Sequence, residues 1–86
     1  MNAIEKAAHR NGRECADLAV TLAPLPWSEP VYLSILDQMA TALVASFPGG
    51  PAVFLEHAEE ITAAARLGFD RRLEELAVAG GQTGSA

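Results

Sequence analysis

The stretch FPGGPAVFLEHAEEITAAARLGFDRRLEELAVAG, residues 47–80, decides the fold of this 86-residue chain. Its opening FPGGP ends one helix, and Pro51 suits the first turn of the next, where a missing N–H has no intrahelical acceptor to disappoint. From there Phe54, Ala58, Ile61, Ala65, Phe69, Leu73 and Leu76 recur at three- and four-residue spacings, the pattern of one buried helical face. Gly80 is placed as a C-terminal stop. Unbroken, residues 51–79 would form a rod of about 43 Å at 1.5 Å per residue. The helix then either breaks near Gly68 or projects beyond its neighbours, with the apolar face of FDRRLEELAV in need of a cover.

Working outward, residues 28–47 form the clearest helix. Ser28 is a natural N-cap, Pro30 falls in the first turn, and Trp27 and Tyr32 have the spacing of a hydrophobic staple. Tyr32, Ile35, Leu36, Met39, Leu43, Val44 and Phe47 make its apolar face, at a length of only about 28 Å. Before it, APLPWSEP (23–30) separates a first helix over residues 2–23. Asn2 and Glu5 have capping-box spacing there, and Ile4, Ala8, Cys15, Leu18, Ala19 and Leu22 form an apolar stripe. Gly12 marks a kink, a break or a close helix–helix contact; the stripe keeps phase across it, which favours one helix. The reading is an all-α antiparallel bundle of three helices, or four if the last breaks at Gly68. It predicts one domain over residues 1–80 and a flexible tail over 81–86.

Composition agrees. Half of the residues are hydrophobic and 20% charged, which excludes a disordered chain. Alanine, the best helix former, supplies 17 of the apolar residues, and the aromatics are few: Trp27, Tyr32, Phe47, Phe54 and Phe69. One cysteine excludes a disulfide framework, and no apolar run approaches a membrane span. The charged N-terminus lacks the apolar core of a secretory signal, so a soluble, cytoplasmic protein is expected.

Little in the chain points to chemistry. Glu56, His57, Glu59 and Glu60 are the densest group of metal-ligating types, but a metal site needs several ligands converging on one point, and the other histidine, His9, lies in a different segment. A solvated acidic helix start, favoured by the helix dipole, explains the cluster without a metal. Cys15 is six residues from His9, a separation that puts the two on different helix faces, and it sits in the apolar stripe. No phosphate loop, nucleophile elbow or zinc-ligand spacing occurs. No enzyme, cofactor or metal is expected.

Charge excludes another class. The net charge of −5 and pI near 4.8 oppose direct nucleic-acid binding, although Lys6, Arg10 and Arg13 share a helix face. The expected function is a non-catalytic protein–protein interaction module, an adaptor or self-associating subunit, using the surplus apolar stripe Phe54, Ile61, Phe69, Leu73 and Leu76. Its partner would be a second copy, in a homodimer, and no membrane. The alternative is a small acidic inhibitor of a nucleic-acid-handling protein, comparable with anti-CRISPR proteins and DNA mimics of phages and mobile elements in size, acidity and lack of catalytic motifs. In that case Glu56, Glu59, Glu60, Asp70, Glu74 and Glu75 would meet a basic protein surface.

Overall fold

The computed structural model describes residues 1–85, with side chains through Ala79, and divides them into α1 (Ala3–Leu22), α2 (Glu29–Ser46), α3 (Pro51–Glu56) and α4 (Ala58–Ser85). No strand occurs among the described residues, and no helix there is long and apolar enough to cross a membrane. α4 passes through Gly80, the expected stop, and continues to Ser85; the side chains from Gly80 on, and with them those of the tail expected at 81–86, are outside the described set.

Local chemistry sets the helix starts. Asn2 accepts from the Glu5 N–H at 2.8 Å while the Glu5 carboxylate accepts from the Asn2 N–H at 3.0 Å, a reciprocal capping box. Ser28 caps α2 through the Val31 N–H, with Pro30 in the first turn. Gly49 and Gly50, at φ 95° and 86°, make the left-handed corner between α2 and α3, which opens on Pro51. Trp27 and Tyr32, expected to staple one another, instead both lie against Phe69, with ring centroids 6.1 and 6.2 Å from its own. The Trp27 indole N–H donates to the Ala23 carbonyl at 2.6 Å, anchoring the connector to the end of α1.

The last segment does break, but at His57 and not at Gly68. His57 leaves helical geometry at φ −122°, and its N–H is shared between the Val53 and Phe54 carbonyls. The Ile61 N–H then bonds the His57 carbonyl, so the helix restarts almost at once. This single-residue step lets α3 pack under the end of α2, where Phe47 and Phe54 close the core, while α4 follows α1. Nothing in the residue types around His57 marks a helix breaker; the packing of two helices in different directions imposes it.

α4 runs unbroken through Gly68 because that glycine serves contact instead of bending. A β-carbon at Gly68 would fall on the backbone carbonyl of His9, and one at Gly12 on that of Ala65. Ala8, Gly12 and Ala16, one turn apart on α1, are all buried against this seam, as are Ala64, Ala65 and Gly68 of α4. Small side chains let the two backbones touch. Gly12 meets Ala65 and Phe69, and Asp17 pairs with Arg72, so partners advance together and α1 runs parallel to α4. Tyr32 at the start of α2 reaches Asp70, and the end of α2 meets α3, so α2 runs the opposite way. The result is an up-down-up bundle, with α3 as a short hook at its base.

Candidate interaction surface

The apolar stripe expected to meet a partner lies mostly inside. Phe69 and Ile61 are the two largest fully buried side chains, and Phe54 is buried as well. Leu73 packs on the edge of this core, and Leu76 is half-buried. Within a single copy of the chain this set therefore serves mainly as core. Because α4 begins at Ala58 and runs beside α1, the sequence FDRRLEELAV does not project; α1, Trp27 and Tyr32 cover its inner face.

The acidic set does not form one free face either. Glu75 accepts both guanidinium nitrogens of Arg13, at 3.0 and 3.1 Å, and a third bond from Arg72 at 2.9 Å. Arg72 also reaches Asp17 at 2.8 Å. These hydrogen bonds hold the Glu75 carboxyl at about 2, well below its ordinary value, and raise both guanidinium groups. The network crosses from α1 to α4 beside the small-residue seam. It also takes Arg13 out of the basic face shared with Lys6 and Arg10. Asp70 accepts from the Tyr32 hydroxyl at 2.5 Å and pairs with Arg66 at 3.8 Å. Burial, then the bond to Asp70, raises the Tyr32 phenol. Glu56, Glu59, Glu60 and Glu74 remain exposed, the first three around the α3–α4 step and Glu74 four turns up α4.

At that step His57 Nδ1 lies 3.8 Å from Glu60 Oε2. Among the described residues no three His, Cys, Asp or Glu side chains are placed to hold a metal ion. The thiol and the imidazole of α1 are also apart: His9 stands with its backbone against Gly68 of α4, whereas Cys15 turns toward α2. Burial, with Glu14 nearby, raises the Cys15 thiol and so disfavours the nucleophilic thiolate.

Exposed apolar side chains occur on all four helices, and those of α1 stand beside a hollow. Since the small-residue seam claims the α4 side, α1 and α2 approach each other only loosely. Between them runs a groove of about 380 Å³ lined by Cys15, Leu18, Leu22, Ile35, Met39 and, among smaller residues, Ala19 and Ala42. Leu18 is 62% exposed and Leu22 is 77% exposed, one turn apart along the rim. The lining carries no charge, and Gln38 is its polar member. Sequence periodicity put both leucines in the core; the signal that relocates them is the Ala8–Gly12–Ala16 spacing, which marks a close-contact face centred about 100° away around α1. Comparison with protein-family models, with curated proteins and with solved structures finds no match for this chain.

Proposed function

We propose that this chain is a non-catalytic helical interaction module of the cytoplasm that docks a protein partner in the groove between α1 and α2. The observation that carries the reading is the pair Leu18 and Leu22, large apolar side chains standing in solvent on the rim of an uncharged hollow. Exposed leucines are common on this small domain, Leu33, Leu55 and Leu67 among them; Leu18 and Leu22 differ in standing one turn apart beside an apolar hollow, and a contiguous apolar patch favours a binding role. Helix-lined grooves commonly accept apolar side chains of an amphipathic segment in this way. The separation of Cys15 from His9 and the raised thiol favour a non-catalytic role. The acidic-inhibitor alternative is weaker, because Asp70 and Glu75 already hold arginines of the same chain.

The test is site-specific photo-cross-linking in the cells that make the protein. A photoreactive residue at position 18 or 22 should give discrete protein adducts, while one at Thr41 or Glu59, exposed but outside the groove, should not. Equal adducts at all four positions would remove the proposal.

A further inference from the structure

We infer that α3 is a latch with two positions: in the closed form described above it folds under α2, and in an open form it straightens at His57 into one helix with α4 and releases Phe54 from the core. The joint is separate from the groove between α1 and α2.

Residues 51–61, PAVFLEHAEEI, suit an unbroken helix. They hold no glycine, and their one proline is in the first turn. Phe54, Ala58, Ile61 and Ala65 keep a single helical phase across His57, which a permanent bend between two helices would not require. The break is also narrow along the backbone. The His57 N–H still bonds back into α3, and the Ile61 N–H bonds forward from the His57 carbonyl. Between them the N–H groups of Ala58, Glu59 and Glu60 bond no carbonyl of α3, whereas a straight helix would pair them with Phe54, Leu55 and Glu56. At the other end of α3, Gly49 and Gly50 supply a pivot. Both have positive φ, and a β-carbon at Gly50 would meet nothing within 4 Å.

Two things hold the closed form. Phe54 is buried and Val53 packs at the edge of the core, while Leu55 is 70% exposed. No ion pair or side-chain hydrogen bond among the described residues ties α3 to another helix. The second hold is charge. Glu59 and Glu60 lie in the first turn of α4, where unbonded N–H groups and the helix dipole favour carboxylates. Straightening abolishes that terminus and sets Glu56 three and four residues before Glu59 and Glu60 on one helix, a repulsive spacing. His57, 3.8 Å from Glu60, keeps its three-residue spacing in both forms. Burial and charge therefore favour the latch closed, and three backbone bonds favour it open. Because Gly12 is level with Ala65 and His9 with Gly68, the start of α1 is level with the start of α4. A straightened α3 thus stands clear of the bundle with Phe54 in water, which makes the open form the minor one, at about 0.1–10%.

The test is the distance between spin labels at Ala52 and Arg71, both exposed, in a Cys15→Ala background, measured by pulsed electron resonance. In the open form the two sites share one straight helix and lie about 28 Å apart along it; the bend makes the closed distance shorter. The otherwise unchanged chain should show mainly the short distance. Glu59→Gln with Glu60→Gln at neutral pH should raise the long-distance fraction several-fold, and Phe54→Ala should make it the larger one. Glu74→Gln, on α4 away from the joint, should change nothing. Amide exchange at positions 58–60, followed by NMR, reads the same equilibrium without labels: protection there should rise with the long fraction. If Phe54→Ala does not fold, the glutamine pair decides. One short distance in both the parent and the glutamine pair, with amides 58–60 equally unprotected, overturns the inference, as does a long fraction that Glu74→Gln raises equally.

Discussion

Gly12 and Gly68 are where a single atom decides the packing. Alanine in a helix interior is ordinarily better than glycine by about 1 kcal/mol. At these two positions the sign should reverse, because the new β-carbon meets the carbonyl of Ala65 or His9, a backbone that cannot rotate away. Gly12→Ala and Gly68→Ala should each destabilise the protein by about 1–3 kcal/mol through overpacking, read from urea melts. A neutral or stabilising outcome at both would mean that α1 and α4 do not touch as described. Tyr32 offers a milder change at the other side of α4. Tyr32→Phe removes the bond to Asp70 while leaving the ring on Phe69, and should cost about 0.5–1 kcal/mol.

Between α1 and α4 the polar counterpart of that seam is the network Arg13–Glu75–Arg72–Asp17. Glu75 titrates at about 2 in the folded chain, against an ordinary value of 4.5. The folded state therefore holds its proton less tightly than the unfolded one. Its contribution is fully present above about pH 4.5 and is lost as pH falls toward 2. Thermal midpoints measured over that window should fall less steeply for Glu75→Gln than for the wild type, and the difference should shrink in high salt, since all four groups are at the surface. Parallel acid profiles would show that the network does not couple the helices. The single-residue step at His57 belongs to this scale too. It is required because α3 must turn under α2 while α4 follows α1, a demand that no local residue preference expresses.

At the scale of the whole molecule, Phe69 is the residue on which the connector, α2 and α4 converge. Phe69→Ala should cost about 3–5 kcal/mol, a large share of the stability of so small a domain. Circular dichroism should then record loss of cooperative unfolding or a much lower midpoint. A well-folded Phe69→Ala protein with altered association would instead restore this side chain to an interface role. The same distinction explains what could be read in advance. Helix number apart from the hook, the caps at Asn2 and Ser28, the Pro–Gly connectors and the all-α class were legible, since each depends on a few adjacent residues. The candidate site was not. Periodicity reports that a helix has an apolar face, but two such faces compete on α1, one of alanine and glycine and one of leucine.

What the sequence by itself determined is where helices start and stop at the capped and proline-marked ends, because hydrogen bonds to the first turn and the fixed φ of proline act within a few residues. Tertiary structure alone decided which face of α1 is buried. The small-residue face won because it lets two backbones make contact along their length, a gain in dispersion and burial that exists only once α4 lies beside α1. That choice sent Leu18 and Leu22 outward, drew Phe54, Ile61 and Phe69 inward, and moved the break from the glycine to His57. Glycine in isolation signals freedom to bend; between two helices its missing side chain is space, and here the space is filled.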